Sequence, residues 1–405
     1  MPRNSVFWAL CLGALVACSQ HAASSPLPAG PQNALATSTS FRSAVAAAHP
    51  DAGFKSLYSF QAIPDGSDPA GRLLSSGGTF YGSTVMGGKN NLGTVYKVST
   101  AGKESVLYSF AGPPADGRYP TGQLTLKSGE FYGTTANGGT NDYGTVFKIS
   151  ASGAEHVLYS FKNEPDGQNP PGALVALGGA FYSTTQFGGK YGFGAVFKIT
   201  ASGAEKVIYN FNVNASPSDG VNPVGDLVAV NNALYGTTIN GGPSNHGTIF
   251  KVSPSGVEHV VYDFKGNPDG ASPYAGLINV NGTLYGTTLY GGASDHGSVF
   301  KVSTSGTEHV VYSFKGTPDG SIPYGRLLSL NGTLYGTTQY GGANSIGAIF
   351  KVSTTGSEHV LYSFAGPPGD GRNPVAGMTA LSGILYGTAT QGGTGGDGMI
   401  FKLTP

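Results

Sequence analysis

Residues 283–288 read Thr-Leu-Tyr-Gly-Thr-Thr, and versions of the Tyr-Gly-Thr-Thr core recur along the chain. The tyrosines that open them are Tyr81, Tyr132, Tyr182, Tyr235, Tyr285, Tyr335 and Tyr386, spaced 50 to 53 residues apart. A fixed period of that length marks propeller blades or a solenoid. Within one unit, Leu277-Ile278-Asn279-Val280 has the content of a first strand, and Asn281-Gly282 is a type I′ hairpin signal. Residues 283–288 are the second strand. A loop carrying Gly291-Gly292 leads to the third, Ser298-Val299-Phe300-Lys301-Val302, and Ser305-Gly306 turns the chain into the fourth, residues 309–314. Pro318-Asp319-Gly320 then combines a fixed φ, a side-chain acceptor and a free φ, which is turn chemistry. No segment has helical periodicity, so each unit is a blade of four short antiparallel strands.

The chain ends decide between an open stack and a closed ring. The last repeat stops after its third strand, Met399-Ile400-Phe401-Lys402-Leu403. A matching fourth strand, Ser56-Leu57-Tyr58-Ser59-Phe60, precedes the first repeat. Pairing the two closes a circle and hides two sheet edges that would otherwise template aggregation. A solenoid would carry capping repeats instead. The expected fold is all-β: a seven-bladed β-propeller of four-stranded antiparallel blades over residues 54–405, closed by the N-terminal strand.

Composition agrees. The 405 residues include 66 Gly and 25 Pro, with 21 Phe and 22 Tyr, while only 11% are charged. Disordered chains lack that supply of aromatic residues. The formal net charge is zero and no Lys/Arg cluster appears, which argues against a nucleic-acid partner. The only cysteines, Cys11 and Cys18, lie outside the repeats. Arg3 precedes an apolar stretch, residues 6–17, too short for a membrane span and laid out like a secretory signal over residues 1–17. Its end, Leu15-Val16-Ala17-Cys18, resembles a bacterial lipobox, which implies cleavage before Cys18 and its lipidation. Ser19 after the cysteine points to the outer membrane by the Gram-negative sorting pattern. Residues 18–53, rich in Ala, Ser and Pro, form a tether of about 30 Å root-mean-square reach. The expectation is a monomer in the bacterial cell envelope, lipid-anchored to the membrane.

The repeat elements Gly-Thr-Ile-Phe-Lys-Val (247–252), Val-Val-Tyr-Asp-Phe (260–264), Pro-Asp-Gly (268–270), Leu-Tyr-Gly-Thr-Thr (284–288) and Gly291-Gly292 together resemble the GloVer tandem-repeat family of surface proteins. The resemblance spans residues 54–405, and it implies a propeller-like fold and surface exposure without an established activity. Kelch and WD40 blades rely on a tryptophan per blade, and the single Trp8 lies in the signal.

Sevenfold repetition sorts scaffold from site, because a residue repeated in every blade packs blades, whereas a single binding site breaks the symmetry. The repeated Tyr, and the Phe or Tyr before each third-strand Lys, are therefore core. The third-strand lysines Lys97 to Lys402, and the Glu opening six fourth strands, are expected to form interblade or cross-strand pairs. One Asp per Pro-Asp-Gly loop is a turn cap, and the outer-strand histidines do not converge on a metal. Ligand candidates belong on the face that carries the Pro-Asp-Gly and Gly-Gly loops. The residue heading each first strand reads Arg72, Gln123, Ala173, Asp226, Gly276, Arg326 and Gly377 around the ring. Of these, Arg72, Gln123, Asp226 and Arg326 form an asymmetric polar channel mouth suited to an anionic or sugar ligand. Phe187, Tyr191, Tyr290 and Tyr340, with Tyr274 and Tyr324, add loop aromatics suited either to stacking on sugar or peptide or to plugging the loops against one another.

No Ser-His-Asp arrangement, phosphate loop or metal-ligand spacing occurs, so no catalytic residue, cofactor or metal is assigned. The favoured function is a non-enzymatic binding module for glycan, peptide or envelope protein. The alternative is a carbohydrate-active hydrolase or lyase on a propeller scaffold, by fold analogy.

Overall fold

The computed structural model describes residues 53–213 and 219–405. The stretch expected to be a signal peptide (1–17), Cys18 and the expected tether before Gly53 lie outside the described residues. In the fifth blade the strands are Ile278–Val280, Thr283–Thr288, Ser298–Ser303 and Glu308–Ser313, hydrogen-bonded in that order. Asn281 and Gly282 have φ of 52° and 85°, the two positive values that a type I′ turn demands. The other blades repeat this order, giving seven antiparallel blades.

One feature of the blades has no periodicity in sequence. The loop after each Pro-Asp-Gly pairs with the Gly-Gly loop through two residues, as in Gly66–Ser67 with Met86–Gly87. In the fourth blade this ribbon fuses with the long second strand Ala233–Gly241, and Gly220–Pro223 becomes a fifth strand. The ribbons place the four-to-one and two-to-three loops on one face, as strand direction predicted.

The circle closes as expected. Lys55–Ser59 pairs antiparallel with Met399–Leu403, with Ser56 opposite Phe401 and Ser59 opposite Met399. The first strands of blades one and seven, Leu74–Ser76 and Thr379–Leu381, touch each other. On the loop face, Asp68 N–H donates to the Asp397 carbonyl at 3.0 Å, just as Tyr119 donates to Leu92 at 2.9 Å and Ile322 to His296 at 3.0 Å in internal junctions.

The repeated residues explain one another. Across strands two and three, Gly133 lies opposite Phe147, and a Cβ on Gly133 would come within 2.6 Å of the Phe147 ring. The glycine of Tyr-Gly-Thr-Thr is thus a seat for the third-strand aromatic; the third blade uses Ser183 at the same register, opposite Phe197. That aromatic is then met edge-on by the phenylalanine ending the fourth strand of the preceding blade. The pairs are Phe60–Tyr96, Phe110–Phe147, Phe161–Phe197, Phe211–Phe250, Phe264–Phe300, Phe314–Phe350 and Phe364–Phe401, with ring centroids 5.0 to 5.4 Å apart. All of these rings are almost wholly buried. The repeated tyrosines are buried too, except Tyr81, which is half-buried. The first threonine of the motif binds the next blade, as Thr134 Oγ1 to the Gly172 carbonyl at 3.1 Å, and the second binds across its own blade, as Thr135 to Thr145 at 2.7 Å.

The charged repeats pair differently from expectation. Each Asp of the Pro-Asp-Gly loop does cap its turn, as Asp319 does with the Lys315 N–H at 3.0 Å, but it also accepts the hydroxyl of a fourth-strand tyrosine. Tyr58–Asp65, Tyr108–Asp116, Tyr159–Asp166, Tyr209–Asp219, Tyr262–Asp269, Tyr312–Asp319 and Tyr362–Asp370 are all within 2.8 to 3.0 Å. The repeated Glu of the next blade faces this pair instead of a lysine: Glu104 lies beside Tyr58 and Asp65, and Glu358 beside Tyr312 and Asp319. The lysines lie opposite outer-strand positions, Lys301 opposite His309, and Lys251 sits 5.8 Å from the Tyr235 ring. Lys148 does form an ion pair, but with Glu130 of its own blade at 3.2 Å. The junction between blades six and seven lacks the acid. There Phe54 stacks on Tyr362 at 3.7 Å and 6°.

Burial first, then the charge of the facing aspartate, pushes Glu104, Glu155, Glu205, Glu258, Glu308 and Glu358 up to about 7, against a lowering tyrosine hydrogen bond. One oxygen of each is buried without a hydrogen-bond partner, so the neutral acid is the cheaper form to bury. The folded chain therefore holds protons that the unfolded chain releases above pH 4.5, the ordinary value. Stability from these groups is fully present at low pH and is lost as pH rises from about 4.5 to 7. Urea midpoints measured across that window should fall with rising pH, and Glu308→Gln with Glu358→Gln should make the decline shallower; a rising midpoint contradicts this account.

Two substitutions test the packing. Phe314→Ala should cost about 3–5 kcal/mol in chemical denaturation. Gly133→Val should cost about 1–3 kcal/mol or more, through overpacking against Phe147.

Candidate functional site

Seven first strands surround the axis, so the residue heading each one faces the channel mouth on the loop side. Arg72, Gln123, Asp226 and Arg326 are each half-buried there, while Ala173, Gly276 and Gly377 are small and buried. The structure joins the four polar residues into two groups. Arg72 gives Nε and Nη2 to Gln123 Oε1 at 3.0 and 2.7 Å, and Gln123 Nε2 donates to the Leu73 carbonyl at 3.4 Å. On the other side, Arg326 gives Nε and Nη2 to the Leu277 carbonyl at 3.1 and 2.7 Å. Its Nη1 reaches past Gly276 to Asp226 Oδ2 at 3.6 Å.

Asp226 is counted three blades away from Gly377, yet its carboxylate is drawn toward Arg326. Its other oxygen accepts the Ala173 N–H at 2.7 Å. The glycines are necessary to this arrangement. A Cβ at Gly276 would lie 2.8 Å from the Asp226 Cβ, and one at Gly377 would lie 2.5 Å from the Arg326 carbonyl and 3.2 Å from Arg72 Cδ. Gly377 thus separates the two arginines, as the ring order predicted. Burial, and then the nearby charge of Arg326, lowers Arg72 to about 10 against the opposing pull of Asp226.

The aromatic candidates are on the ribbons and loops rather than on the first strands. Phe187, Tyr290 and Tyr340 each open the second half of a ribbon, opposite Gln168, Ala271 and Ser321. Phe187 and Tyr340 are half-buried, Tyr290 is 45% exposed, and Tyr191 is 41% exposed with Lys190 Nζ 5.1 Å from its ring. Tyr274 and Tyr324 do not stand apart as two free platforms. Their rings pack together with centroids 4.2 Å apart, so neighbouring loops of blades five and six brace each other.

A carboxylate pair escaped the sequence reading. Asp68 and Asp397 meet on the loop face where blade one joins blade seven, and Ser67 Oγ donates to Asp397 Oδ1 at 3.2 Å. Burial, and then the charge of Asp397, pushes Asp68 up to about 6. The equivalent positions elsewhere are Tyr119 with Leu92, Asn169 with Tyr143 and Ser272 with His246, so the pair is a departure from the repeat. The two residues are far apart in sequence, and only the register of the closing junction brings them together. Among the described residues, no group of three or more His, Cys, Asp or Glu is placed to hold a metal ion.

Solved structures share this architecture. The chain is similar to a virginiamycin B lyase from Staphylococcus aureus at 19% identity and a TM-score of 0.57, covering 85% of this chain and 97% of that one. It is similar to PorZ, a bacterial surface component of the type-IX secretion system of Porphyromonas gingivalis, at 13% identity and a TM-score of 0.51, over 82% of this chain and 46% of PorZ. A puromycin hydrolase matches at 10% identity and a TM-score of 0.51, over 83% of this chain and 53% of the hydrolase. At these identities the likeness is one of fold. No curated protein matches the sequence. The model of the Gloeobacter/Verrucomicrobia repeat matches residues 36–178 and 172–401, nearly the whole length. The chain belongs to the family defined by that repeat.

Proposed function

We propose that this chain is a non-enzymatic binding module, held at the cell envelope by a lipid on Cys18, that takes glycan, peptide or envelope protein on its loop-rich face. One observation carries the reading. The residues that repeat around the propeller are absorbed in joining blades, whereas the charges at the channel mouth differ from blade to blade. A blade joint must repeat, and a site for one ligand must not. The lipobox-like Leu15-Val16-Ala17-Cys18 supports the anchor and, with Ser19, an outer-membrane address.

Asp68 with Asp397 favours a second reading, a carbohydrate-active hydrolase or lyase. A carboxyl group held near 6 retains a proton at mildly acid pH and suits general-acid work. Hydrolysis of a glycosidic bond uses two carboxyl groups flanking that bond. Here both residues lie in a blade seam, and the channel-mouth ring contributes Asp226 as its single carboxylate. The fold does not choose between the readings, since its solved examples include a lyase, a hydrolase and a surface component.

Full-length protein in detergent, offered defined envelope polysaccharides on an array, should retain binding, release no reducing ends or unsaturated products, and behave identically as Asp68→Asn. Product release that disappears in Asp68→Asn would replace the binding module with an enzyme. Cys18→Ala should abolish acyl labelling and move the protein from the membrane pellet to the soluble fraction; a protein that stays acylated and sedimentable would remove the proposed anchor.

A further inference from the structure

The channel mouth has an unbalanced charge. Two guanidiniums, Arg72 and Arg326, share the ring with one carboxylate, Asp226, and the remaining positions, Gln123, Ala173, Gly276 and Gly377, are neutral. That carboxylate is already engaged by Arg326 and the Ala173 N–H. Among the described residues Arg72 forms no ion pair. Its acceptor is the neutral amide oxygen of Gln123, which takes Nε and Nη2. A cation drawn partly out of water ordinarily sits beside an anion, because a neutral dipole recovers only part of its lost hydration. Here the stronger of the two charges acting on it is a second cation, Arg326, with only Gly377 between them on the ring, and Asp226 acts more weakly.

We propose that Arg72 and Arg326 together hold one carboxylate of an acidic saccharide at the channel mouth. This rests on the binding-module reading and gives it a ligand class. With Nε and one Nη2 hydrogen of Arg72 given to Gln123, its outer edge, Nη1 with the second Nη2 hydrogen, matches an oxyanion in a two-point contact. The charge count favours a carboxylate over a phosphate monoester. One negative charge completes the ring, whereas a phosphate monoester brings nearly two at neutral pH. Gly276 and Gly377 let the neighbouring first strands pack closely enough to bring the charged side chains together, since a Cβ at Gly276 would lie 2.6 Å from the Asp226 carbonyl and one at Gly377 2.5 Å from the Arg326 carbonyl and 3.2 Å from Arg72 Cδ. The saccharide follows from the flanking aromatics. Tyr324 lies two residues before Arg326, and it packs on Tyr274, two residues before Gly276, so a half-exposed aromatic pair borders the cationic side of the ring. An aromatic face beside a cation suits the apolar face and the acid of a uronate ring.

Calorimetry on the full-length protein in detergent tests this with three probes: a galacturonate hexamer, the same hexamer with its carboxyl groups reduced to alcohols, and an acidic peptide with a free C-terminus. Binding is expected for the uronate alone, weakening as salt is raised. Arg72→Gln should weaken it about tenfold or more, the scale of a lost hydrogen bond to a charged group. Asp226→Asn should act in the opposite direction and tighten it severalfold, because it removes the competing negative charge while keeping an acceptor for the Ala173 N–H. A gain cannot come from misfolding, so the opposed pair of variants keeps the test decisive even if one is destabilised. Equal binding of the reduced hexamer, or uronate binding indifferent to both substitutions, overturns the carboxylate site and leaves the binding module standing. Preference for the peptide overturns the saccharide. An array and calorimeter both empty would count against the binding module itself.

Discussion

The edge-on contact between a fourth-strand phenylalanine and the third-strand aromatic of the next blade is the interaction on which the ring depends. Each such phenylalanine is almost completely buried. Its burial contributes about 1.5–3 kcal/mol, and the edge-to-face geometry adds about 0.5–1.5 kcal/mol. The contact also fixes the angle between blades, because the receiving ring is seated on a glycine across its own sheet and cannot retreat. The first and last of these contacts, Phe60 with Tyr96 and Phe364 with Phe401, lie on either side of the closing blade. The N-terminal strand therefore does more than complete a ladder. It supplies Phe60, which joins Tyr386 and Ile400 of blade seven in the cluster that blade one packs on.

A polar layer overlies this apolar one. A tyrosine–aspartate hydrogen bond repeats in every blade, and a glutamic acid from the next blade is held against it in all but the junction between blades six and seven. Placing two carboxyl groups and a phenol together is unfavourable when both acids ionise, and the elevated glutamates are the response. At the junction of blades six and seven the same position is Phe54, stacked on Tyr362. Phe54 directly precedes the strand that closes the ring by pairing with Met399–Leu403 inside blade seven. There an aromatic stack takes the place of a proton-dependent acid, whereas the seam between blades seven and one keeps Glu104 against Tyr58 and Asp65.

Much of this was legible in the sequence, and the boundary is physical. Tyr-Gly-Thr-Thr, Asn-Gly and the fourth-strand motif at residues 56–60 each carry local chemistry, so strand order, hairpin type and circular closure followed from them. The ring order around Gly377 followed from aligning the residue that heads each first strand. What escaped depends on register between blades. The glutamates were matched to lysines because opposite charges invite pairing, yet the blade twist brings them to the preceding blade's Tyr and Asp. The ribbons span two residues, too short to show a period. Asp68 and Asp397 each look like ordinary loop residues until closure sets them side by side. For Tyr274 and Tyr324 the sequence left ligand stacking and mutual plugging of the loops both open, and their packing on each other is set by the spacing between neighbouring loops.

The same distinction bears on where function can reside. Repeated joints store the stability of the disc in many equivalent contacts, so no single channel-mouth residue is needed to hold it together. The first strands carry side chains that differ from blade to blade, including two guanidiniums on either side of Gly377 and a single carboxylate, Asp226. Arg72 stands beside the like charge of Arg326 and gives two hydrogen bonds to the neutral amide of Gln123. The acidic ligand proposed for the channel mouth would supply the charge that this arrangement lacks.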